Sequence, residues 1–266
     1  MISRLPGLSL PERAWGVVRR WALAWWRILY LGAVVCVLVL SPSSYGEVTR
    51  RALARHLYLD TAPVLLGFTV LAALISLVLT RIVVVTAISY GLSRYALEMV
   101  IRVLVLELIP LTAALFVAMR CTIPNGTQLA LLRQSGHLAR LRSAGADPIR
   151  VELLPRAVAG VFACITLAAL SCVVALVLAY LGVYGFSLAG LPSYTRMFGH
   201  VFAPAVTLVF IIKTVLFSLA VALIPMAAGL YDTGERTQPD SELGGLARMF
   251  AVLLLIEIGS LVGNYY

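Results

Sequence analysis

Long apolar runs alternate with short charged stretches along this chain, and the lengths of the runs set the elements. Thr61 to Leu79, Tyr95 to Arg120, Ala157 to Val183, Val201 to Tyr231 and Leu243 to Val262 are each long enough for a helix to cross a bilayer. The core to be crossed is about 30 Å thick, and a helix rises about 1.5 Å per residue. A sixth run, Ile28 to Leu40, holds 13 residues. As a helix it covers only about 20 Å. The stretch before it, "ERAWGVVRRWALAWWR", sets Trp15, Trp21, Trp25 and Trp26 among arginines, a mixture suited to the headgroup boundary. Residues 10–40 are therefore expected to form an interfacial or re-entrant helix that does not cross. "GEVTRRALARHLYLD" (46–60) reads as a polar, basic connector. The expected fold class is all-α: a polytopic membrane protein with an N-terminal interfacial helix and five transmembrane helices, one domain over 1–266.

Composition agrees. The chain is 61% hydrophobic and 12% charged, against about 25% charged in soluble domains. The net charge is +9, nearly all of it arginine, and Lys213 is the only lysine. Arginines beside apolar spans follow the positive-inside rule, so nucleic acid is not an expected partner. Arg4, Arg13, Arg19, Arg20, Arg27, Arg50, Arg51 and Arg55 precede the first full span. Arg133, Arg140, Arg142, Arg150 and Arg156 lie in the 121–156 segment, and Arg196 stands alone in 184–200. This asymmetry predicts a cytoplasmic N-terminus and an external C-terminus. Ile28 to Leu40 follows too long a leading region to read as a signal peptide. Cys36, Cys121, Cys164 and Cys172 form no CxxC pair, and His56, His137 and His200 are scattered. No metal site is expected.

The 121–150 segment is expected to be a cytoplasmic loop with structure of its own. Asn125-Gly126 is a turn signal, and Thr127 suits a helix N-cap. Leu129, Leu132, Leu138 and Leu141 fall near helical spacing with arginines between them. Gly145 suits a helix end, and Asp147-Pro148 suits the start of the next. An amphipathic helix over about 127–143 either packs on its own membrane domain or seats a partner.

Charges inside spans are unfavourable and invite a functional reading. Glu107 stands in the second span, three residues before Pro110; Lys213 stands in the fourth and Glu257 in the fifth. They either line a cavity that receives a polar headgroup or form a buried ion pair that fixes helix register. Glu98 and Arg102, spaced i,i+4, read as a helix-surface pair. No GxxxxGK[ST], HExxH or GxSxG pattern occurs, and the lone lysine is inside a span. No catalytic residue is expected; any ATPase is another polypeptide.

Three stretches together resemble a family: "ELIPLTAALFVAMR" (107–120), "LRSAGADPIRVELLPRAVAG" (141–160) and "IIKTVLFSLA" (211–220). They are similar to the MlaE/YrbE permeases of Mce-associated ABC lipid transporters. Glu107 and Pro110 match that family's E-L-G-P element. Ala118 and Arg120 match part of the A-G-R element. Asp147-Pro148 and Pro155-Arg156 match its D-P and P-R elements, Lys213 its membrane lysine, and Glu257 falls near an acidic position. Met119 replaces a family glycine, Gln128 a glutamate and Leu132 a methionine, and Ser135-Gly136-His137 stands where the family has T-E-Q. The resemblance implies a homodimer or heterodimer of permeases in the bacterial inner membrane with a periplasmic C-terminus. It implies a lipid pocket near Glu107, Pro110, Lys213 and Glu257. It also implies a cytoplasmic ABC ATPase that binds ATP and Mg²⁺ and pushes on Gln128, Leu132, Arg133, Leu138, Leu141, Asp147 and Pro148. Arg120, Pro155 and Arg156 would be structural. A periplasmic Mce-domain protein would exchange phospholipid, and this chain would bind no cofactor. The rival readings are an ATP-independent transporter using the three membrane charges, and a scaffold whose altered loop has lost coupling.

Overall fold

The computed structural model describes residues 10–42, 46–231 and 239–265, and every regular element among them is helical. We label them α1 (Leu10–Leu40), α2 (Glu47–Ser89), α3 (unbroken over 93–134), α4 (His137–Ser143), α5 (unbroken over 149–184), α6 (Leu191–Val201), α7 (Pro204–Tyr231) and α8 (Pro239–Tyr265). The bundle has two ends, one carrying α4 and the other α6. Helices α2, α5 and α8 run from the α4 end to the α6 end, and α3 and α7 run back. Contacts fix these directions. Asp60 accepts a hydrogen bond from Asn125 at 3.0 Å near the α4 end, while Gly182 packs on Thr80 near the other. Ala228 meets Gly245 and Val209 meets Gly263, so α7 and α8 are antiparallel.

Among the described residues six helices are long and apolar enough to cross a membrane: the five expected ones and Trp21–Leu40. Helix α1 is longer than its apolar run because Leu10 to Arg27 holds no proline beyond its first turn, so shortness alone does not keep it from crossing. Packing places it instead. Arg27 donates to the Tyr231 carbonyl at 3.3 Å, at the α4 end of α7. Six residues (41–46) then separate its last residue from α2, which also begins at the α4 end. Its buried face, Leu31, Val35 and Leu38, joins a core made with Leu129, Leu153, Leu154, Leu223 and Met226, all from that end. Helix α1 thus packs against the α4 end of the bundle.

Two further stretches depart from the sequence reading. Residues 47–60 are the first turns of α2, not a connector. Arginine, alanine and leucine are strong helix formers, and Arg51 pairs with Glu47 one turn back at 2.6 Å. Asn125-Gly126 is not a turn and Thr127 is not a cap: α3 continues through them to Gln134. Gly126 is needed for close approach to α7. A Cβ there would stand 2.6 Å from the Pro225 oxygen, and one on Gly229 would stand 2.2 Å from the Gly126 oxygen. The expected loop helix is divided at Ser135-Gly136, where Gly136 takes φ +72°, a left-handed conformation that favours glycine. Gly145 (φ +79°) ends α4 as expected, and the Asp147 carboxylate caps the Ile149 amide at 3.0 Å.

Three prolines share one accommodation. Pro110, Pro124 and Pro155 each follow, by two residues, a π-helical stretch: Ile101–Leu108, Ala118–Thr122 and Ile149–Leu153. A proline lacks the N–H for an i→i−4 bond and its ring crowds that carbonyl. Widening the preceding turns lets the helix pass through without a break.

Candidate functional site

The three membrane charges meet. Lys213 projects from α7 between α3 and α8, and its ammonium donates to Glu107 Oε2. It lies 2.9 Å from Glu257 Oε2, an ion pair without the direction of a hydrogen bond. It also donates to the Leu106 carbonyl at 3.2 Å. That carbonyl stands four residues before Pro110, the residue that lacks the amide which an α-helix would supply to it. Phe217, one turn along α7, places its ring centroid 5.7 Å from Nζ. The Lys213 side chain is 1% exposed, against 13% for Glu107 and 14% for Glu257. The lysine is sealed, while both carboxylates reach the surface of an otherwise apolar wall.

The sequence left open whether these charges pair; the structure pairs Lys213 with both glutamates. Sequence reasoning missed Asn264, whose Nδ2 lies 3.4 Å from Glu107 Oε1. The signal was present: Asn264 is seven residues beyond Glu257, two helical turns along the same face.

A second polar network occupies the α4 end. His137 on α4 lies 3.6 Å from Glu152, and Glu152 holds Arg156 at 2.9 Å. Arg156 is buried, and its Nε and Nη1 find no protein acceptor. On α2, Asp60 faces Arg156 electrostatically, and its backbone carbonyl accepts from the Cys121 thiol at 3.2 Å. The network therefore links α4, α5, α2 and α3. Pro155 is buried beside it. Arg120 is exposed and takes no part in it.

The expected coupling residues divide into two sets. Leu138 packs inward against the α4-end core, as does Leu129. Arg133 turns inward as well and donates to the Leu230 carbonyl at 2.8 Å, closing the end of α7. Leu132 and Leu141 are half-buried, and Pro148 is buried. Gln128, Arg140, Arg142 and Asp147 face outward. Leu131, which sequence reasoning passed over, is 58% exposed on the same surface. Leu129, Arg133, Leu138 and Pro148, together with the exposed Arg142, line a cleft of about 320 Å³ between α3, α4, α5 and the end of α7.

The family model described as Permease MlaE matches residues 53–261. None of the curated proteins compared with the chain matches it.

Proposed function

The chain belongs to the MlaE permease family, membrane subunits of ABC transporters, and on that premise we propose that it moves phospholipid, or a closely similar lipid, between the bacterial inner membrane and a periplasmic Mce-domain carrier. It is a multi-pass transport subunit, not itself catalytic. The observation that carries the lipid reading is the Glu107–Lys213–Glu257 cluster. A buried lysine with two carboxylates reaching an apolar surface offers a polar foothold inside a wall suited to acyl chains. Charges at such a depth are unfavourable unless they are paired or functional.

In this reading two permeases, identical or not, enclose the lipid between them. The N-terminus and the α4 end face the cytoplasm, and the α6 end faces the periplasm. ATP and Mg²⁺ are bound by a separate ATPase seated on the exposed part of α3 and α4. Displacement of α4 passes through His137, Glu152 and Arg156 to α5 and α2. Membership of an ABC family argues against an ATP-independent carrier.

The test is purification from native membranes, followed by assay of ATPase retention, bound lipid and ATP-dependent transfer of labelled phospholipid in vesicles. Transfer that needs ATP and is lost in Lys213→Ala supports the reading. A complex that hydrolyses ATP but neither holds nor moves lipid overturns it.

A further inference from the structure

We propose that Glu107, Glu257 and Asn264, gathered around Lys213, form a binding site for a primary ammonium group carried on a lipid, the ethanolamine class of headgroup. The inference rests on the lipid-transport reading above and supplies its headgroup class.

The charge count comes first. Two carboxylates surround one ammonium, so the cluster is one positive charge short. Arg102, the next cation along α3, is engaged by Glu98 at 3.0 Å. The hydrogen-bond count points the same way. An ammonium has three donors; Lys213 directs two of them at Glu107 and the Leu106 carbonyl, and it pairs with Glu257 Oε2 by charge alone. At 1% exposure the ammonium is closed off from a ligand phosphate. On this stretch of α8 the buried polar atoms without a hydrogen-bond partner are Glu257 Oε2, Ser260 Oγ and Asn264 Oδ1, and the first and last of these can only accept. Buried acceptors are strongly disfavoured when left unmatched. A primary ammonium supplies both missing quantities, a positive charge and N–H donors. A phosphate or an anionic glycerol headgroup supplies neither and meets two carboxylates. A choline headgroup supplies the charge without the donors.

Access agrees. The carboxylates are partly exposed while the lysine is closed off. Asn264 stands in the last turn of α8, at the α6 end. A headgroup entering from that end reaches Asn264 first.

The experiment uses the intact protein in nanodiscs with its ATPase. Displacement of a labelled lipid is measured with phosphatidylethanolamine, phosphatidylcholine and phosphatidylglycerol of matched chains. The expected order is ethanolamine, then choline, then glycerol, with about tenfold between first and last, as expected for one charge-assisted hydrogen bond. Glu257→Gln should abolish that preference, and Asn264→Leu should reduce it, each in protein shown to be monodisperse with a melting temperature near wild type. Should Glu257→Gln misfold, Asn264→Leu carries the comparison. Soluble ethanolamine at the same concentration should not displace the lipid; if it does, the site is one for free amines and the lipid assignment falls. Equal displacement by all three lipids, or an unchanged preference in the variants, overturns the ammonium site and leaves lipid transport standing. Absence of any bound or transferred lipid overturns the transport reading as well.

Discussion

At Lys213 the protein buries a charge that only its neighbours make tolerable. Removing one partner of a buried ion pair is worse than removing all of them, because it leaves an uncompensated charge. Lys213→Met should destabilise the protein by about 3–5 kcal/mol, since two carboxylates would then face each other. Combining it with Glu107→Gln and Glu257→Gln should recover most of that loss, read by thermal melting in detergent. Recovery of stability without recovery of lipid transfer separates the functional role of the charges from their structural one. A stable single variant with normal transfer would show that the cluster has neither role. Gly126 makes a different residue-scale case. Its backbone touches that of α7 at Pro225 and Gly229, so Gly126→Ala must push two helices apart. Overpacking of this kind costs about 1–3 kcal/mol, and the melting temperature should fall while the charge cluster, far along α3, keeps its lipid preference.

At the scale of the element, the loop-end surface has a buried and an exposed side. Leu138 and Arg133 hold α4 and α3 to the bundle, so replacing them would test folding and contact together. Leu131 projects outward at 58% exposure, beside Gln128 on the same helix. Leu131→Asp should release the ATPase while the permease inserts and melts normally. Retention of the ATPase at wild-type level after affinity purification would remove this surface from the interface. The His137–Glu152–Arg156 network is the second element-scale claim. Glu152→Gln weakens the charged hold on Arg156 with little change of shape. It should lower lipid-stimulated ATP hydrolysis more than it lowers ATPase binding, and equal loss of both would argue against a relay.

At the scale of the whole molecule, α1 and the α4 end share one side of the bundle. Single cysteines at Arg19, Glu47, Ser135 and Ser193, all exposed, introduced into a cysteine-free background, report this directly. Arg19, Glu47 and Ser135 should label from one side of the membrane and Ser193 from the other. With the cytoplasmic assignment of the α4 end, only Ser193 should react with an impermeant reagent added to intact cells. Labelling of Arg19 on the Ser193 side would mean that α1 crosses.

By itself the sequence determined that this is an all-helical membrane protein whose long helices are apolar enough to cross a bilayer, because apolar run length against bilayer thickness is a one-dimensional quantity. It also determined which charges are anomalous, Glu107, Lys213 and Glu257, because their oddity lies in their apolar neighbours along the chain. It determined the glycine stop at Gly145 and the Asp147 cap, which are local chemistry. Only the tertiary structure decided the rest. Asn125-Gly126 reads as a turn until α7 is present to need a bare backbone beside it. Residues 47–60 read as a connector until the helix they prolong is seen to begin there. Leu138 and Leu131 are both leucines on a charged segment, and which one faces the core depends on a helix broken at Gly136 and on where α7 ends. The same holds at the cluster. The partners of Lys213 come from α3 and α8, more than 40 residues away in either direction, and a pattern along one helix carries no information about what another helix presents to it.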